Sequence, residues 1–159
     1  MDKWDDRFME MAQLVSSWSS CFNPGRSIGA VIVKGKRVMT TGYNGAAAGT
    51  KTCKERGYCL RRKLNIPSGT HAETCYAIHA EQNAVIQAAK LGISIDGGTL
   101  YCTHQPCSVC AKILVNAGIA RIVYGQGYPD DFALEVIGEA GVLLERYEQV
   151  APPDRSASE

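Results

Sequence analysis

The chain has 159 residues, enough for one globular domain and too few for two of ordinary size. With 45% hydrophobic and 21% charged residues it can bury a normal core, and its formal net charge of +1 argues against a protein held to duplex nucleic acid mainly by a basic face. It carries seven Cys beside three His, and an odd number of Cys excludes a complete intrachain disulfide framework.

The segment Met1 to Glu10 is charged and lacks the apolar core of an export signal. No apolar run reaches the roughly 20 residues that a membrane span needs. A Cys-rich chain of this kind is expected in the cytoplasm, where thiols stay reduced and serve metals or catalysis. Trp4, Phe8, Met11, Val15 and Trp18 recur at helical spacing and predict an amphipathic first helix with that stripe in the core. The turn Asn23-Pro24-Gly25 follows it. Ile28 to Val33 reads as a strand, Lys34-Gly35-Lys36 as a turn, and Arg37 to Tyr43 as the hairpin partner. From Asn44 to about Thr70 the pattern dissolves, and so long a structureless loop needs something to tie it down.

A regular alternation follows. Helices are predicted over Ala80–Leu91, Ser108–Ala117 and Asp131–Ala140, each closed by a glycine (Gly92, Gly118, Gly141). Strands are predicted over Thr99–Thr103, Ile119–Tyr124 and Val142–Tyr147. Strands alternating with helices over short links imply parallel neighbours with right-handed crossovers. With the front hairpin, the expected fold is α/β: a three-layer α/β/α domain, residues 1–150, with a five-stranded mixed sheet and an insertion at about 44–78. Residues 151–159 read as a flexible tail. There is no internal repeat.

Two short segments carry chemistry: His79-Ala80-Glu81, and Pro106-Cys107-Ser108-Val109-Cys110 after 24 intervening residues. Cys107 and Cys110 are three apart at a predicted helix start, so their sulfurs share one face. Pro106 suits that start, and the positive end of the helix favours thiolates. Two thiolates and the His79 imidazole suit zinc, and three protein ligands leave a fourth position for water, as in catalytic sites. Zinc lowers the pKa of bound water to about 7. Glu81 beside it can take the proton and deliver it to a ring nitrogen and a leaving amine. A His-x-Glu followed by Pro-Cys-x-x-Cys is the pattern of zinc deaminases, with Glu as acid/base and not ligand. The competing reading is a structural zinc knot completed by another Cys, which leaves Glu81 without a role.

On these motifs the chain resembles the zinc-dependent cytidine/deoxycytidylate deaminase family, in particular its bacterial and phage dCMP deaminases, including the competence-operon type. The likeness runs over about residues 4 to 147. It is carried by Ser27–Val33, Thr41-Gly42-Tyr43-Asn44-Gly45, His79–Ala84, Pro106–Lys112 and Asn116–Ile119. The Gly-Tyr-Asn-Gly segment, together with His-Ala-Glu-x-Asn-Ala, points to the dCMP branch.

The resemblance implies hydrolysis of dCMP to dUMP and ammonia, a step in pyrimidine nucleotide metabolism that feeds thymidylate synthesis. It implies zinc on His79, Cys107 and Cys110, proton shuttling by Glu81, contact of Asn44 with the deoxyribose hydroxyl, and reading of the pyrimidine edge by backbone groups near Ala80 and Gln105. It also implies a homo-oligomer, dimer or hexamer. As a turn residue, Asn44 has a purely structural alternative. Arg26, ahead of the first strand, is a phosphate candidate, and its alternative is a solvated surface residue. The basic run Lys51, Lys54, Arg56, Arg61, Arg62, Lys63 is a second candidate, set against a solvated loop face.

Cys53, Cys59, His71 and Cys75 form a three-Cys, one-His set of the kind that holds a structural zinc, with Cys21 as an alternate ligand. Several dCMP deaminases have a second zinc in this region. The alternative is four unrelated residues, since Cys is often buried as a small hydrophobe. Cys102 reads as core, and His104 has no ligand spacing of its own. The family's loop for dCTP activation follows Gly-Tyr-Asn-Gly with a Cys or Ser and two acids. Here Thr50 to Glu55 holds one acid and two lysines, a departure that leaves control by dCTP and dTTP outside what the resemblance implies.

The expected partner is a small nucleotide, with no duplex nucleic acid and no membrane. Other functions consistent with the motifs are deamination of another cytosine nucleotide, deamination of a base in single-stranded nucleic acid or tRNA, and a non-enzymatic zinc module. Little basic or aromatic track is present to hold a strand.

Overall fold

A computed structural model describes residues 1–148; the expected tail at 151–159 lies outside the described residues. Among the described residues, seven strands and six α-helices run in the order α1 (Lys3–Ser16), β1 (Gly29–Lys34), β2 (Arg37–Tyr43), β3 (Gly45–Ala46), α2 (Cys53–Arg56), α3 (Leu60–Lys63), β4 (Ala77–Ile78), α4 (Ala80–Leu91), β5 (Thr99–His104), α5 (Ser108–Asn116), β6 (Arg121–Gln126), α6 (Asp131–Glu139) and β7 (Leu143–Arg146). The main sheet has five strands in the order β2-β1-β5-β6-β7. β1 pairs antiparallel with both β2 and β5, while β5, β6 and β7 run parallel. This is the mixed sheet expected from the alternation of strands and helices.

The sheet is covered on both faces. Ala30 and Ile32 of β1 pack with Ala84, Leu114, Ala133 and Ile137 from α4, α5 and α6. Val31 and Val33 point the other way, to Phe8, Met9, Ala12 and Val15 of α1. A strand buried on both sides reads as a continuous apolar run, which is why β1 shows no alternation in sequence. Its hairpin with β2 turns on Gly35 and Lys36, both with positive φ (56° and 61°), the conformation that matches strand twist in a two-residue turn.

The buried face of α1 differs from the expected stripe. Phe8 and Val15 are in the core as read, but Met11 and Trp18 are exposed, and Met9 and Ala12 take their places. Gly29 explains the rotation. A Cβ there would fall 2.1 Å from the Ala12 carbonyl, so the helix backbone lies directly on the start of β1 and only a small residue fits beneath it. Gly42 does the same for α4: a Cβ would meet the Ala80 carbonyl at 2.1 Å and the Ala84 nitrogen at 2.5 Å. The first turn of α4 is thereby seated on β2.

A charged residue of α1, Asp5, is buried. The Asp5 carboxylate accepts from the Tyr101 hydroxyl at 2.7 Å and pairs with Arg121 at 2.6 Å, and Arg121 also pairs with Glu145 at 2.5 Å. Burial pushes the Asp5 carboxyl up, but hydrogen bonds from Arg121, the Asp2 amide and Tyr101 outweigh it and hold it at about 2.

The stretch that lacks a pattern in sequence is ordered in small pieces. β3 and β4 close its base, with Gly45 opposite Ile78. α2 has a reciprocal cap: Thr52 Oγ1 accepts the Glu55 N–H, and the Glu55 carboxylate accepts the Thr52 N–H. The Arg61 guanidinium donates to the carbonyls of Pro67, Thr70 and His71. Among the described residues, no helix is long and apolar enough to cross a membrane.

Candidate active site

The site is assembled from two helix N-termini. His79 is the N-cap of α4, and Cys107 is the N-cap of α5, which places Cys110 in the first turn. Gln82 reaches back to accept the His79 N–H at 3.0 Å, and Asn83 donates to the Tyr43 carbonyl at 2.8 Å, tying α4 to the Gly-Tyr-Asn-Gly strand end. His79 Nδ1 lies 3.6 Å from Cys107 Sγ and 3.4 Å from Cys110 Sγ. Among the described residues, these three are the group of His, Cys, Asp or Glu whose donor atoms all lie within 4.8 Å of one another.

Those distances test the metal. With Zn–N near 2.1 Å, Zn–S near 2.3 Å and a tetrahedral angle, adjacent N and S ligands stand about 3.6 Å apart. The observed edges fit that figure, and one nitrogen with two sulfurs is a donor set suited to zinc. The two thiols are biased in opposite directions: the hydrogen bond with Cys107, with burial, pushes the Cys110 thiol up. The Cys107 thiol is held down to about 4, chiefly by a hydrogen bond with the Cys110 thiol and further by His79. The hydrogen bond to Cys107 in turn pushes the His79 imidazole up.

Glu81 stands beside this group and outside it. It is 4% exposed, and its carboxyl interacts with the Cys110 thiol. Burial pushes it up to about 7. Ala80 is fully buried, and Gln105, also buried, donates its N–H to the Gln126 carbonyl at 2.8 Å. The Gln105 side-chain nitrogen has no hydrogen-bond partner among the described residues.

Asn44 is buried, and its amide pins the entry to β1: Oδ1 accepts the Ile28 N–H at 2.8 Å and Nδ2 donates to the Arg26 carbonyl at 2.7 Å. Arg26 reaches across to donate to Ser68 Oγ at 2.9 Å. Much of the basic run serves internal ties. Lys54 donates to the Ser19 carbonyl at 2.7 Å, Arg56 lies 3.9 Å over the Tyr76 ring, and Arg61 holds the three carbonyls named above. Arg61 is also within electrostatic reach of His79, so the insertion borders the site.

The Cys53 thiol is buried, and after burial itself the groups that raise it are the thiols of Cys75, Cys21 and Cys59. His71 does not join them: its ring is exposed and its Nδ1 lies 3.1 Å from Glu73. Cys102 is fully buried in the core, as read. His104 is half-buried, with Nδ1 3.1 Å from Thr103 Oγ1.

A five-stranded mixed sheet whose two flanking helices bring one imidazole, two thiols and a buried carboxyl together defines a zinc-site deaminase architecture. The family model for the cytidine and deoxycytidylate deaminase zinc-binding region matches residues 2–126, and the chain belongs to that family. It is 37% identical over 154 residues to the deoxycytidylate deaminase of Schizosaccharomyces pombe, covering 96% of this chain and 46% of that protein. It is 37% identical to ComE operon protein 2 of Bacillus subtilis, covering 91% of this chain and 71% of the relative. The chain thus spans about half the length of the yeast relative. Among solved structures, it superposes on the dCMP deaminase of cyanophage S-TIM5 in complex with dCMP and dUMP. The TM-score is 0.74 at 31% identity, covering 92% of this chain and 99% of the other.

Proposed function

We propose that the chain hydrolyses dCMP to dUMP and ammonia. The observation that carries this reading is the buried Glu81 carboxyl beside a three-donor set of catalytic type, in a member of a deaminase family. The cyanophage relative, a dCMP deaminase crystallised with dCMP and dUMP, supports that substrate.

His79, Cys107 and Cys110 would hold zinc, which would supply Lewis-acid activation of water. Glu81 takes the proton of the attacking water as its oxygen bonds to C4 of cytosine, and delivers it to ring N3. Glu81 then moves the second water proton to the amino nitrogen. The C4–N bond breaks, ammonia leaves, and the water oxygen remains as the C4 carbonyl of dUMP. Ala80 and Gln105 flank the donors and are assigned to the pyrimidine edge through their backbone groups. Asn44 is assigned to the deoxyribose hydroxyl, a role compatible with its hold on residues 26–28. Of the phosphate candidates, Arg26 fits better, because its one side-chain hydrogen bond among the described residues is to exposed Ser68, whereas Lys54, Arg56 and Arg61 are engaged internally.

A second, structural zinc is assigned to Cys21, Cys53, Cys59 and Cys75, with Cys21 in place of His71; binding would have to draw these thiols together, because their donor atoms are not gathered within 4.8 Å of one another as those of His79, Cys107 and Cys110 are. Four thiolates make a closed site, and such a metal ties the insertion to the segment after α1. The chain is assigned to the cytoplasm, where thiolate donors stay reduced. Exposed Ile86 of α4, Val109 of α5 and Phe132 of α6 fit a homo-oligomer.

The test is direct. The zinc-loaded chain incubated with dCMP should yield dUMP and ammonia in equal amounts. Absence of both products overturns the reading.

A further inference from the structure

The helix that carries both thiols does not cap itself. Its N-cap, Cys107, makes no side-chain capping hydrogen bond, because its sulfur faces His79. A helix start leaves N–H groups that Ser, Thr, Asp or Asn ordinarily satisfies from the N-cap. In α5 the N–H of Ser108, the residue directly after Cys107, instead donates to Asp130 Oδ2 at 2.8 Å from 22 residues away. Asp130 is itself the N-cap of α6, and its Oδ1 accepts the Ala133 N–H at 3.0 Å. One carboxylate thus joins two helix N-termini, one oxygen to each, where two partial positive charges favour an anion.

We propose that Asp130 is a positioning residue for the metal: it fixes the first turn of α5, and with it the directions of the Cys107 and Cys110 sulfurs. The proposal rests on the zinc reading of the site. If the residue at position 107 must turn its side chain toward the metal, the N-terminal amide of α5 needs an acceptor from elsewhere, and Asp130 is that acceptor.

Asp130→Asn and Asp130→Ala in the full-length chain separate this role from plain helix capping. Asn keeps the size and one acceptor oxygen, but its amide nitrogen donates, so it cannot serve both N–H groups. Ala serves neither. Zinc affinity is measured by competition with a chromophoric chelator, and the thiolate-to-metal absorption is recorded after cobalt substitution, next to the Tm of each metal-free protein. The expected result is a loss of about tenfold in zinc affinity for Asn and more for Ala, with a shifted cobalt spectrum. Variants that bind zinc as the wild type does, whatever their Tm, overturn the role of Asp130. A wild-type chain that takes up no zinc overturns the metal reading itself, a distinct result.

Discussion

His79 and Cys107 occupy the same structural position in two different helices: each is the N-cap, and their donor atoms meet at 3.6 Å. Two helices aimed at one point bring their positive ends together, which stabilises thiolate and any anion that forms there. The following turns then supply the remaining parts, Glu81 from α4 and Cys110 from α5.

Glu81→Gln separates proton transfer from metal binding, because Glu81 lies outside the donor group. The variant should keep a wild-type zinc content and lose at least a hundredfold in kcat, since a positioned acid/base contributes about that much. Steady-state rates with metal analysis check it, and wild-type turnover would remove Glu81 from the mechanism.

A second metal would add to the hydrogen bonds that already order the insertion. Metal analysis of the reduced, fully active chain should give two zinc ions, and Cys53→Ser should retain one, while His71→Ala should retain both. A single zinc in active wild-type protein would dismiss the structural site.

Asp5 makes acid stability predictable in sign. Its folded carboxyl titrates at about 2 against an ordinary 3.8, so the folded state binds the proton less readily than the unfolded state. The contribution is present above about pH 4 and is lost as pH falls toward about 2. Asp5→Asn should lower stability at neutral pH by about 2 kcal/mol and flatten the fall across that window in denaturant titrations. An unchanged slope would show that the Asp5 ion pair with Arg121 does not couple to folding.

Glu55, the one acid between Thr50 and Glu55, is committed to capping α2 through Thr52. It is therefore not free to help hold a nucleoside triphosphate and its cation. The rate with dCMP should stay flat as dCTP is added; activation would contradict this reading of the loop.

The strands and helices after residue 78 were legible because each has a hydrophobic period and a glycine stop, and the metal donors because their spacing belongs to chemistry as much as to fold. The orientation of α1 was not, since the face that holds Met9 and Ala12 is seated on Gly29, distant in sequence, while Met11 is exposed. The insertion was illegible for a related reason: its order comes from tertiary ties such as Lys54 to the Ser19 carbonyl and Arg61 to three loop carbonyls. His71 had the right chemistry and proximity in sequence, yet its ring stands in solvent against Glu73, while Cys21, far away in the chain, comes near Cys53. Asp130 went unread because an Asp before a helix signals only that helix's cap, and its bond to Ser108 crosses between elements.

Deamination of a free deoxynucleotide is tested most sharply by kcat/KM for dCMP, deoxycytidine, CMP and a short single-stranded oligodeoxynucleotide under one set of conditions. dCMP should lead the other three clearly; preference for the oligonucleotide would contradict a nucleotide substrate.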